Sequence, residues 1–214
     1  PAFLGGCWGM YGMHLPGAFR TWKHWKGPKK MVISPPLYLD RPVFQYQYES
    51  LRWFDHWLKG IDNGVMDEPP VRLFIPGTGE WKTAGDWPLP ETRWTPFYFH
   101  AGSLLSEHEL WPDEGHDSFE DSTFVHGELT YWTPRLVENT ELIGPIPLHL
   151  YASSSDAEMF VFATLLHRDA DGEVLELTRG WLRGSQRALR ADSEDWEPIP
   201  AHTQREPLEP GKIY

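Results

Sequence analysis

One change of pattern divides this chain. Up to about residue 76, short apolar runs alternate with stretches of helical spacing; beyond about residue 80, only short strand-like runs between Pro and Gly remain. Ala2–Leu4, Met31–Ile33 and Val71–Ile75 read as strands, and the spacing predicts helices over about 17–26 and 43–59. In the second helix Phe44, Tyr48, Leu51, Phe54 and Leu58 recur at steps of three and four, an apolar stripe expected to face the core. Trp53 and Trp57 stand beside it, and Lys59-Gly60 and Asp62-Asn63-Gly64 end it. Asp40 lies where a residue capping its start would stand. Strand, helix, strand, helix, strand is the order of an open α/β sheet.

After residue 80 the strand-like runs are 97–100, 128–132, 146–152, 160–167 and 174–178, with Asp171-Gly172 as a hairpin turn between the last two. Short strands and one long acidic loop, 107–121, point to a β-sandwich of jelly-roll type. The expected fold class is therefore α/β followed by all-β. Residues 1–80 would form the C-terminal part of an α/β domain, and residues 81–214 a jelly-roll sandwich lacking some of its strands. Both termini fall within strand-like runs, Pro1-Ala2-Phe3-Leu4 and Gly211–Tyr214, and read as cut from a longer protein.

Composition narrows the function classes. With 19 Lys+Arg against 31 Asp+Glu the formal net charge is −12, the wrong sign for a general nucleic-acid binder. The one basic run, Arg20–Lys30, is short and reads as a solvated helix face. Cys7 is the single cysteine, so no internal disulfide can form. No apolar run is long enough to span a bilayer, which leads to the expectation of a cytoplasmic protein without a membrane partner. Twelve Trp suit core lids, interfaces or sugar-stacking platforms. A non-catalytic module that binds sugar, peptide or a second copy of itself is therefore the rival to an enzyme.

The chemistry-bearing residues are few. No G-x-S-x-G elbow occurs. Cys7 ends a strand where α/β sheets place their sites, and reads first as a buried packing thiol. Asp169-Ala170-Asp171-Gly172 imitates the start of a calcium loop, but its twelfth position is Gly180, so a turn is expected. The acidic loop has ligand-type side chains without a metal spacing, and neither metal nor cofactor is expected. His14 follows a Gly/Trp-rich loop at the end of a strand. It reads either as a site residue or as a hydrogen-bonded structural histidine.

Four stretches in order carry a resemblance: GGCWGMYGMHLPGAFR (5–20), LRWFDHWLKGIDNGVMDEPPVRLFI (51–75), ENTELIGPIPLHLYASS (138–154) and TRGWLRGSQR (178–187). Together they resemble the CocE/NonD family, α/β-hydrolases of cocaine esterase and X-prolyl dipeptidyl-peptidase type with a C-terminal jelly roll. The resemblance implies serine hydrolase chemistry on small-molecule ester, amide or peptide substrates. It places the nucleophilic Ser upstream, in an α/β-hydrolase part of the same protein that is this chain's principal partner; a homo-oligomer is a further one. The family's Asp and His would fall near Met10 and Tyr38, and neither side chain can act as base or orienting carboxylate at neutral pH. His14 and Asp40 are the nearby candidates of the right chemistry. The alternatives are a catalytically degraded member and a binding module built on the Trp-rich sandwich.

Overall fold

The structure is a computed structural model and describes residues 1–12, 14–36, 46–109 and 115–214. These form two compact units: Pro1–Pro90 with Pro145–Tyr214, and Glu91–Gly144.

The first unit is built on a four-stranded sheet of β1 (Ala2–Cys7), β2 (Lys29–Ser34), β3 (Val71–Ile75) and β4 (Glu80–Ala84), in that order. β1, β2 and β3 run parallel, and β4 returns antiparallel to β3. Met31, Ile33, Val71, Leu73 and Cys7 are fully buried, so the core lies on the two central strands and the end of β1. This matches the rule that parallel strands are covered and read as continuous apolar runs.

Helix α1 (Leu15–His24) packs on β1 and β2 through Leu15, Ala18 and Trp22. It starts two residues earlier than its spacing predicts, because Pro16 sits in the first turn, where a missing N–H leaves no hydrogen bond unmade. Helix α2 (Gln47–Lys59) ends at Gly60 in the left-handed conformation, φ 69°. There Gly60 N–H donates to His56 O and Ile61 N–H to Asp55 O. The turn that follows folds back on the helix: Asn63 Nδ2 donates to Arg52 O at 2.8 Å, and Arg52 returns a bond to Asn63 O at 3.2 Å.

The buried face of α2 differs from the expected one. Tyr48, Leu51, Phe54 (54% exposed) and Leu58 (76% exposed) all face outward, while Trp53 is 3% exposed. Trp53 lies 5.9 Å from the Phe3 ring and 5.8 Å from the Trp57 ring. The indole with a ring partner on β1 took the inside, and the stripe of Tyr48, Leu51, Phe54 and Leu58 took the outside. Phe44 lies outside the described residues.

Beyond residue 90 the described residues contain no α-helix, as the change of pattern implies. β7 (Phe160–Arg168) and β8 (Val174–Arg183) form an antiparallel hairpin in the first unit. Its turn is made by Asp169, whose Oδ1 accepts the N–H groups of Asp171 and Glu173 at 2.9 Å each. In the second unit β5 (Tyr98–His100) pairs with β6 (Leu104–Ser106). The expected strand at 128–132 appears only as a bridge between Trp132 and Leu104, and 146–152 only as a pair of hydrogen bonds between Ala152 and Tyr214. The region is β-rich, in short pairs.

After β8 the chain turns through Gly184–Gln186, held by Glu158. That carboxylate accepts from Ser185 N–H (2.9 Å), Ser185 Oγ (2.6 Å), Arg183 Nε (2.6 Å) and Arg205 Nη2 (3.4 Å). Burial would raise its pKa, but the Ser185 and Arg183 contacts outweigh that and hold it at about 2. A folded-state value below the unfolded one stabilises the fold above about pH 4.5, and this contribution is lost as pH falls through about 2. The gap in thermal midpoint between the parent and Glu158→Gln should accordingly shrink across that window; a gap unchanged down to pH 2 would rule the linkage out. Gly184 is equally constrained. A Cβ there would sit 2.9 Å from Met159 Cγ and 3.2 Å from Leu208 Cδ1, so Gly184→Ala should cost about 1–3 kcal/mol in chemical denaturation.

Candidate active site

In open α/β sheets, sites form outside the C-terminal ends of the parallel strands. Here those ends are Cys7 of β1 and Ser34 of β2. The loop after β1 makes a 3-10 turn, Trp8–Met10, before Tyr11, Gly12 and His14. The loop after β2 starts with Pro35 and Pro36. The two loops touch: a Cβ on Gly9 would lie 3.4 Å from the Pro36 carbonyl carbon. Trp8 Nε1–H donates to Phe74 O at 2.5 Å, which fastens the first loop to the end of β3. The glycine pair before the last residue of β1 allows close approach from both sides. A side chain on Gly5 would meet the Tyr46 ring at 3.1 Å, and one on Gly6 would meet Leu15 Cδ1 at 3.0 Å.

Beneath the loops lies a buried polar group. The Tyr46 hydroxyl donates to Gly6 O, and Ser34 Oγ reaches the same carbonyl at 3.3 Å. Burial raises the Tyr46 pKa, so the phenol is a neutral donor across the physiological range. Cys7 is buried there, in keeping with a packing thiol.

The candidate residues separate as follows. His14 is exposed at the start of α1; its backbone bonds Met10 O and Gly17 N–H, and no hydrogen bond or ion pair joins its ring to a described residue. Met10 is half-buried in the 3-10 turn, with a thioether where an orienting carboxylate would be needed. Asp40 and Tyr38 lie outside the described residues. In the acidic loop, Asp117 accepts from Tyr131 at 2.6 Å and Asp121 pairs with His126 at 3.3 Å, so these carboxylates point to separate partners.

Contacts invisible in the sequence pattern complete the picture. Tyr11 Oη donates to Glu176 Oε1 at 2.5 Å, and Gly12 faces Trp181. Lys23 pairs with Glu197 at 2.8 Å and lies 5.0 Å from the Trp196 ring centroid. No local motif signals such pairs, since the partners stand more than 160 residues apart.

Residues 63–214 match the X-Pro dipeptidyl-peptidase C-terminal non-catalytic domain. A Mycobacterium tuberculosis protein, named as a candidate serine esterase, is 29% identical over 234 residues, covering 94% of this chain and 36% of its own length. The cocaine esterase of a Rhodococcus species is 28% identical over 167 residues, covering 61% of this chain and 29% of its own. This chain thus spans little more than a third of the first relative's length. A CocE/NonD family hydrolase of known structure from Staphylococcus aureus superposes over the whole chain and 42% of its own, with a TM-score of 0.80 at 22% identity, a likeness of fold. With the parallel sheet, the β-rich region and the family match in agreement, the chain belongs through residues 63–214 to the X-Pro dipeptidyl-peptidase C-terminal domain family.

Proposed function

We propose that this chain serves as the C-terminal part of a serine hydrolase acting on esters, amides or X-prolyl peptides, with the nucleophilic Ser in an upstream α/β part of the same protein. Residues 1–80 would complete the α/β-hydrolase sheet and residues 81–214 would form the jelly roll. The observation that carries this reading is the meeting of the loops after β1 and β2 at the C-terminal edge of a parallel sheet. One further feature supports an upstream partner. Among the described residues β1 pairs on one side only, with β2, and parallel strands are seldom left at an open edge.

In this reading His14 is the base that takes the proton of the upstream Ser, and Asp40 the carboxylate that orients it. A fluorophosphonate probe, which labels activated serines, tests it. The full-length protein should be labelled at one Ser upstream of residue 1, and the 214-residue chain not at all. Labelling or turnover by the chain alone, abolished by Cys7→Ser, would overturn the reading in favour of a cysteine nucleophile. Met10 at the position of the family's acid favours the second reading, a catalytically degraded member. Folded full-length protein that takes no label and turns over no ester would establish that alternative.

A further inference from the structure

The loop after β1 is fastened at its far end to the β7–β8 hairpin. Tyr11 Oη donates to Glu176 Oε1 at 2.5 Å, and Arg179 Nε stands 3.5 Å from the same oxygen. Acceptance from Tyr11 by the carboxylate raises the tyrosine's pKa, so Tyr11 remains the donor. One residue on, a Cβ at Gly12 would lie 3.7 Å from Trp181 Cη2, ordinary van der Waals contact. Loop and hairpin therefore meet at two successive residues, one polar and one apolar.

A β-bulge makes this double contact geometrically available. In β8, Trp181 pairs with Phe162 and Arg179 with Thr164, so these four share one face of the hairpin. Simple alternation would send Glu176 to the opposite face. The register instead shifts between Leu165 and Leu166: Thr178 pairs with Leu165 and Glu176 with Leu166, leaving Leu177 as the extra residue. Leu166 shares the face of Phe162 and Thr164, and so Glu176 joins Arg179 and Trp181 there. Re-aiming one side chain is what a bulge does.

We propose that Glu176 and Trp181 are positioning residues: through Tyr11 and Gly12 they hold the loop carrying Met10 and His14 against the loop that follows β2. The β-rich part thereby sets the geometry of a site to which it contributes no reacting atom. This rests on the serine-hydrolase reading above. Its physical basis is that a reacting constellation displaced by about 1 Å loses on the order of a hundredfold in rate, and that loops need support from rigid elements.

The test uses the full-length protein with Tyr11→Phe, Glu176→Ala, Glu176→Gln and the Tyr11→Phe/Glu176→Ala pair. Each is assayed for kcat and KM on a p-nitrophenyl ester, for thermal midpoint, and for amide hydrogen exchange of residues 8–12. Tyr11→Phe and Glu176→Ala should each lower kcat about tenfold, with KM within about twofold. The pair should lose no more than either single variant, and Glu176→Gln, which keeps an acceptor oxygen, should retain most of the rate. Exchange over 8–12 should quicken in Tyr11→Phe and Glu176→Ala while the midpoint moves by less than about 2 °C. Unchanged exchange and kcat in Tyr11→Phe would overturn the proposal, as would a kcat that falls only in step with the folded fraction. Should the parent hydrolyse nothing, the hydrolase reading fails, and the exchange readout alone decides whether Glu176 holds the loop.

Discussion

Trp53→Ala should destabilise this chain by about 3–5 kcal/mol, whereas Phe54→Ala, one residue on, should change its stability by about half a kcal/mol or less. The contrast follows from burial. Trp53 is 3% exposed against Phe3 of β1, and Phe54 is 54% exposed. Removing the indole opens a cavity between helix and sheet, while removing the Phe54 ring opens none. Urea denaturation of both variants in the 214-residue chain decides the matter, and comparable losses would mean that α2 packs by its Tyr48–Leu58 stripe after all. The same pair in the full-length protein adds information. If the upstream part covers Tyr48, Leu51, Phe54 and Leu58, Phe54→Ala should become costly there, by about 2 kcal/mol or more.

His14→Ala should lower kcat/KM of the full-length protein by about 10⁴-fold while leaving its thermal midpoint unchanged. A triad base accounts for several orders of magnitude in rate, and its loss is not compensated by the remaining members. Stability should be indifferent, because the ring is exposed and bonded to no described residue. Activity that falls only as the folded fraction falls would mark His14 as structural. Retained activity would remove it from the mechanism and leave the base to be sought in the loop after β2.

Much of the α/β region was legible from local pattern. Val71–Ile75 is bounded as read, β1 and β2 contain their predicted cores, and α2 ends at the glycine that its terminus signals require. Such features depend on a few neighbouring residues: an apolar run, a left-handed cap, an Asx turn. The absence of α-helix in the described residues beyond 90 was legible for the same reason. The resemblance to CocE/NonD hydrolases was equally a property of linear order.

What depended on distant partners was not. Periodicity identified α2 as amphipathic, but both its Tyr48–Leu58 stripe and its Trp53 edge are apolar, and the presence of Phe3 on β1 decided which was buried. β4 joins the sheet through backbone bonds to β3, although its side chains are mostly polar and exposed. Residues 128–132 and 146–152 have strand-like composition yet form no ladder, because a strand exists only where another backbone satisfies it. In the candidate site, sequence alone supplied His14, Asp40 and the loop around Met10. Tertiary structure alone brought Pro36 to Gly9 and Glu176 to Tyr11, and the latter needed a bulge at Leu177 that no composition announces. Local chemistry determined the elements and the family; which faces meet was settled by contacts between residues up to 174 positions apart, where one side chain's burial is set by another's presence.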